Sequence, residues 1–467
     1  MKVLINPDYF FVRDNFFPSV NVLTSLKAIF NNLFQGNKDV EFKYLISERI
    51  YYQIDSEFLK TLDYVVIFDS DVRNALEEPF VSHREVVSRF YSGDFTDKQF
   101  VNMINLYKEK IGDFIPEVIF SFEFCDKILE KVYPYALQLS FQGGCFKRGV
   151  GPASYILDPC GSVKFSALNT FKKEISDLGL TEEDKIILEN FKRDLRTLFL
   201  DNNANKKYFK ELRKKFDYLI LLPMQFNGHY STDTENDFST QYDIVNYVME
   251  NVPPNVGVVV TEHDHNRFLE GGIIEKGGFL KWFENKYSNF IFMKDSSGKP
   301  LAASSLFLLP FVDALVNLSS TTVWTALLFD LKIISIGKHN NDYCKDSQGL
   351  ENLLETLKTP KKDKNSLIYW MLTNYFIFDF KYLQKDYFYN FLLKKRKKFL
   401  EDGIDFTYFE KNVELKQVCK HIIECIKLSM IKQSKIKYFL YKNSCLQFRI
   451  KNFVIHFFRL IIINISR

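Results

Sequence analysis

The stretch Asp313-Ala314-Leu315-Val316-Asn317-Leu318-Ser319-Ser320-Thr321-Thr322 leads into Val323–Phe329 and then Lys332-Ile333-Ile334-Ser335-Ile336-Gly337. Ala314, Leu315 and Val316 form an apolar run without alternation, which predicts a strand covered on both faces. A Ser/Thr cluster in front of an apolar segment is a helix start. The run from Lys332 then predicts the next strand. Strand, polar turn, helix and strand in this order are the repeat of a parallel α/β sheet.

Upstream the same grammar recurs. Phe216–Pro223, Val256–Thr261 and Phe290–Met293 read as strands, and Ser239–Met249 and Lys281–Tyr287 as helices. The first part of the chain repeats it with strands at Val3–Ile5, Tyr64–Phe68, Pro116–Phe122 and Tyr135–Phe141. Helices are predicted at Asn21–Phe34 and Asp97–Ile111. Gly149–Leu157, rich in Gly and Pro, reads as a loop. Thr181–Arg213 is helical, highly charged, and reads as the connection between domains. After Leu353 the pattern is helical to the end. The expected fold is therefore α/β: two Rossmann-like domains, 1–200 and 214–350, facing a cleft, with a helical C-terminal region 351–467.

Composition bounds the function classes. The 467 residues are 46% apolar, 26% charged and 16% aromatic, the profile of a folded globular chain. Seven scattered cysteines without a Cys-x-x-Cys disfavour zinc and a disulfide framework and point to a reducing, cytoplasmic setting. No window of about 18 residues is continuously apolar, so no spanning helix is expected. Met1–Pro7 reads as a first strand rather than a leader. The net charge of +4 conceals an asymmetry. Residues 427–467 hold nine of the 62 basic residues and none of the 58 acidic ones, so the body is net acidic and the tail carries +9. An acidic body without a recognition signature argues against nucleic acid as a partner.

Three strand ends carry chemistry. At Asn317, Ser319, Ser320 and Thr321, hydroxyls and N–H groups meet at a helix start, a setting that favours an anion; an N-cap with small packing residues is the alternative. Glu262-His263-Asp264-His265-Asn266-Arg267 offers His263, His265 and Arg267 to a phosphate. A metal on His263, Asp264 and His265 lacks a distant third ligand, so none is expected. Pro223-Met224-Gln225-Phe226-Asn227-Gly228-His229 offers Gln225, with Gly228 allowing close backbone approach. Ligands of open α/β sheets bind outside the carboxyl ends of the strands, where all three loops fall. The phosphate-loop, dinucleotide, nucleophile-elbow and zincin motifs are absent.

The Asn-x-Ser-Ser-Thr-Thr strand end, the Ala326-Leu327-Leu328-Phe329 helix and the strand 332–337 resemble bacterial capsule and lipopolysaccharide glycosyltransferases of the GT-B type. The closest likeness is to Kdo and sialic-acid transferases that use CMP-sugars. Leu222-Pro223-Met224-Gln225 is similar to the family's Pro-Leu-Gln loop, and Thr261–His265 stands where its Lys-x-His-Pro loop lies. The family's proline is replaced by Asp264 after His263 and by Asn266 after His265. The match spans about residues 216–337. It implies that His263, Ser319, Ser320 and Thr321 grip the donor's phosphate and nucleotide without a metal or other cofactor. It also implies a polysaccharide or lipid-linked glycan acceptor in the first domain, with Gln142–Arg148 and Gly151-Pro152 as a wall.

An inverting transfer needs a group that takes the acceptor's hydroxyl proton. Candidates at predicted strand ends are Asp8, Asp69, Asp71 and Glu123, Glu123 being the one whose burial would raise its pKa. A turn or capping role is the alternative for each. Phe, Leu, Ile and Tyr interleave with the cations of residues 427–467, which suits an interfacial helix on an anionic inner-membrane surface, with Lys394–Lys398 adding to that face. The other reading is a helix that packs back on the first domain. The whole is expected to be a glycosyltransferase peripheral to the inner membrane. The alternatives are transfer of a phosphate-bearing group and a non-catalytic polysaccharide- or lipid-binding scaffold.

Overall fold

The structure, a computed structural model, describes residues 1–7, 19–37, 39–77, 83–146, 150–201, 205–225, 234, 236–263, 278–294, 304–384 and 386–440, with backbone alone at 19–21, 83–84, 86–87 and 431–440. Two sheets form two α/β halves. The first contains β1 (Lys2–Asn6), β2 (Glu41–Ser47), β3 (Tyr64–Ile67), β4 (Val118–Phe122), β5 (Leu137–Gly143) and β6 (Ser154–Asp158). The second contains β7 (Tyr218–Pro223), β8 (Val256–Thr261), β9 (Phe290–Phe292), β10 (Ala314–Asn317), β11 (Lys332–Ser335) and β12 (Ser347–Gln348). The first sheet runs β3-β2-β1-β4-β5-β6 and the second β9-β8-β7-β10-β11-β12. Each is the doubly wound order, reversing direction between its first and fourth strands. The second sheet is parallel throughout, whereas β6 lies antiparallel to β5.

The continuous apolar runs follow from cover on both faces. Val3 and Ile5 pack with Phe30, Phe120 and Phe141, while Leu4, their neighbour on the strand, joins Ile67, Met103 and Ile119 on the other side. In the second half Ile220, Val258, Val260 and Val316 pack beneath Val245, Val248 and Phe283. The inner layer is shared. Leu188, Phe191, Leu195 and Phe199 of the helix Glu182–Asp201 belong to the same buried cluster as Phe329 and as Val418, Ile422 and Ile426 of the helix Leu415–Leu440.

Two expectations change. Residues 149–157 are not wholly a loop, because β6 begins at Ser154. The C-terminal region is not purely helical: β13 (Phe376–Phe378) pairs antiparallel with β6, Phe376 opposite Ile156, and extends the first sheet. Its three residues are all buried, which a reading of helical spacing passes over in so short a run. Among the described residues no helix is long and apolar enough to cross a membrane.

The basic run at 394–398 is paired with carboxylates at four of its five positions. Lys394 and Lys398 pair with Glu410, Arg396 with Glu117, and Lys397 with Glu401. Lys395 is buried and donates to Tyr408 O, and desolvation pulls its pKa down to about 8. Lys395 is thus turned into the protein, while Lys394 and Lys397 stay exposed in surface ion pairs.

Candidate functional site

In the second half, Gln225, His263 and the turn Ser319–Thr321 follow β7, β8 and β10, so all stand at one carboxyl edge. Gln225 and the turn flank the reversal between β7 and β10, and His263 lies one strand away. The turn is built from the end of β10. Asn317 is buried, accepts from Ser320 N at 3.1 Å and donates Nδ2 to Ser320 O at 3.1 Å and to Asn341 Oδ1 at 3.0 Å. Its amide is committed to shaping the turn, which makes it a positioning group.

Ser320 Oγ accepts from Thr322 N at 3.3 Å and donates to Thr322 Oγ1 at 2.9 Å. Val323 N and Trp324 N bond Ser320 O and Thr321 O. The N–H groups expected to greet an anion at the start of the helix Thr322–Leu328 are thus taken up inside the turn. Thr321 holds the N-cap position without a side-chain cap bond, and Ser319, like Thr321, is half-buried.

Gln225 is placed by its backbone, which donates to the buried Gln241 Oε1 at 3.2 Å. Thr261, ending β8, shares a hydrogen bond of 2.7 Å with Ser305. Glu262 is buried and accepts from His263 N at 3.2 Å, which sets the half-buried His263 beside a carboxylate. His265 and Arg267, and Gly228 of the β7 loop, lie outside the described residues, as does Asp8 after β1. Among the described residues no three His, Cys, Asp or Glu side chains gather as a metal site.

In the first half Glu123 follows β4, beside the reversal between β1 and β4. Its φ is 63°, the left-handed region that non-glycine residues seldom occupy, and its N–H donates to Phe141 O at 2.9 Å. Asp69 follows β3, at the outer edge. Three strand spacings separate β3 from β4, about 14 Å, so Asp69 and Glu123 do not meet at one reacting atom. Asp69 N donates to Glu48 Oε2 at 2.8 Å. Burial, then the Glu48 carboxylate, raises the Asp69 pKa, against the pull of Arg49 and Arg73. Asp71 is engaged structurally, since its Oδ2 accepts from Phe68 N and pairs with Lys110 at 2.8 Å.

The halves meet beside the turn. Thr325 Oγ1 donates to Cys145 O at 2.8 Å, and Asn169 Nδ2 donates to His339 O at 3.2 Å. Trp324 Nε1 donates to Tyr343 OH at 3.1 Å and its ring meets Phe376 edge-on. The loop after β11, His339–Tyr343, was missed by sequence reasoning. Its signal was the polar pair Asn340-Asn341 shortly after Gly337, a strand end like the other three.

No family model matches the sequence, and no curated protein matches it. Among solved structures the chain is similar to the KpsC beta Kdo 2,7 transferase of Thermosulfurimonas dismutans: 12% identity, TM-score 0.40, 91% of this chain and 99% of that one covered. It is similar to the KpsC beta Kdo 2,4 transferase of the same organism at 16% identity and TM-score 0.33, over 51% and 72%. A third likeness is to the UDP-GlcNAc 2-epimerase of Methanocaldococcus jannaschii in complex with UDP-GlcNAc and UDP, at 10% identity and TM-score 0.30, over 79% and 98%. At TM-scores of 0.40 and below, none of these likenesses carries a residue role or an activity to this chain.

Proposed function

We propose that the protein is a metal-independent glycosyltransferase of the GT-B type. In this reading it moves a sugar from a nucleotide donor, a CMP-sugar in the first instance, onto a capsule or lipopolysaccharide glycan. The observation that carries the reading is the gathering of Gln225, His263 and the Ser319–Thr321 turn on the carboxyl edge at the reversal of a doubly wound sheet. Such an edge is where these sheets bind nucleotides.

The donor's phosphate lies against the hydroxyls of Ser319 and Thr321 and the imidazole of His263. The acceptor enters from the first half. Glu123, whose left-handed backbone is the kind of local strain that clusters at reaction centres, takes the proton from the acceptor hydroxyl as that oxygen attacks the anomeric carbon. The nucleoside phosphate leaves, with its growing charge held by the hydroxyls. Residues 427–467 hold the enzyme on an anionic inner-membrane surface, where a lipid-linked acceptor would be found.

Incubation with CMP-, UDP- and GDP-sugars and a lipid-linked glycan acceptor tests the proposal. Release of one nucleotide and a matching thermal shift are expected. A panel giving neither release nor shift would sink it.

A further inference from the structure

We propose that Asn169, in the first half, is a positioning residue for the Ser319–Thr321 turn of the second. The inference deepens the donor site named above and rests on that reading for its functional meaning. Asn169 Oδ1 accepts from Tyr343 N at 3.0 Å, while its Nδ2 donates to His339 O at 3.2 Å and to Val163 O at 3.0 Å. One side chain thereby ties the loop 339–343 to the first half.

That loop in turn holds the turn from beneath. Asn340, buried to 4% exposure, donates Nδ2 to Leu318 O at 3.0 Å. Asn341, buried to 2%, donates Nδ2 to Ser335 Oγ at 3.2 Å and accepts from Asn317 Nδ2 at 3.0 Å. Asn317 closes the turn on both the N–H and the carbonyl of Ser320. The connection is continuous: Asn169, the 339–343 loop, Asn340 and Asn341, Leu318 and Asn317, Ser320. Asn169, Asn341 and Asn317 each accept with one amide atom and donate with the other, so each grips two points at once, whereas Asn340 holds Leu318 by its donor alone. The placement of the first half is therefore transmitted to the hydroxyls of the second.

Amide hydrogen exchange on the full chain tests the relay without a ligand. In Asn169→Ala the amides of Ser320, Thr322 and Val323 should exchange roughly fivefold faster, the scale of one lost hydrogen bond. Asn169→Asp keeps the acceptor for Tyr343 N and should show a smaller change. Thr325→Val removes a different bond between the halves, to Cys145 O, and should leave Ser320 unchanged. Equal acceleration in Thr325→Val and Asn169→Ala would mean general loosening of the seam and would overturn the relay, as would no acceleration in Asn169→Ala. CMP affinity is measured in parallel, with a loss expected in Asn169→Ala. If the parent protein binds no nucleotide while the exchange pattern holds, the relay stands and the donor reading falls.

Discussion

Tyr375 donates its phenolic hydroxyl to Asp158 Oδ2 at 2.6 Å, with both residues buried. Asp158 also accepts from Cys160 N and Ala167 N, so one carboxyl joins the end of β6, the segment after it and the returning C-terminal region. Tyr375→Phe should cost about 1.5–3 kcal/mol in denaturant unfolding, the range for a bond to a charged group. The burial of Asp158 outweighs these bonds and pushes its pKa up to about 6. The folded state thus holds the proton more tightly than the unfolded chain, and this group's contribution to stability falls as pH rises from about 4 to 6. Asp158→Asn should remove that pH-dependent component. An identical slope in both proteins would contradict the assignment.

His421 and Asp379 behave in the opposite sense. Their 2.7 Å bond docks the helix Leu415–Leu440 beside β13, and Asp379, followed by Cys425, raises the His421 pKa to about 9. A histidine raised in the folded state stabilises fully below its unfolded value near 6.5 and loses that contribution as pH climbs through 9. Stability curves of the parent and His421→Gln should converge above about pH 9. A constant gap from pH 6 to 10 would show that the ion pair is not the cause.

The two serines of the turn separate by role. Ser320→Ala removes the acceptor for Thr322 N and should lower stability by about 1 kcal/mol. Ser319→Ala should weaken nucleotide affinity about tenfold, the effect of losing a bond to a phosphate. Calorimetric titration with CMP or the donor decides it.

Glu123 and Asp69 are distinguished by kinetics. Glu123→Gln should lower kcat at least about a hundredfold with little change in donor affinity, as removal of a general base does. Asp69→Asn relieves the crowding with Glu48 and should retain most of the turnover. The reverse ranking would move the base to the outer strand.

The tail carries its own test. Ile426 is the last buried residue among the described side chains of its helix, and no acidic residue follows Glu424. Deletion of residues 427–467 should therefore spare the fold. It should abolish sedimentation with vesicles containing anionic phospholipid at low salt, where basic residues contribute about 1 kcal/mol each. Unchanged sedimentation would refute the membrane role.

Much of this architecture was legible because buried parallel strands are written in uninterrupted apolar runs. Val3–Ile5, Val256–Thr261 and Ala314–Asn317 needed no context. Less was legible where tertiary contacts outweigh local pattern. β6 follows a Gly-Pro stretch that mimics a loop, and β13 has too few residues to show a period. At the site, the sequence placed polar groups at three strand ends but not their hydrogen bonds. It had no means of distinguishing Ser319 from Ser320, whose hydroxyl is turned into the turn, or of joining Asn169 to a loop some 170 positions later. The pairing of Arg396 with Glu117 could not be read, because the two are remote in sequence.

The strand at Phe376–Phe378 has a consequence for biosynthesis. β7–β12 are contiguous in the chain, so the second sheet has all its strands once residue 348 has left the ribosome. The first sheet, although translated first, keeps an open edge at β6 until residue 378 arrives to cover it. Synthesis and completion run in opposite orders, and a nascent chain released before that point would expose an unpaired strand edge, the surface on which newly made chains aggregate.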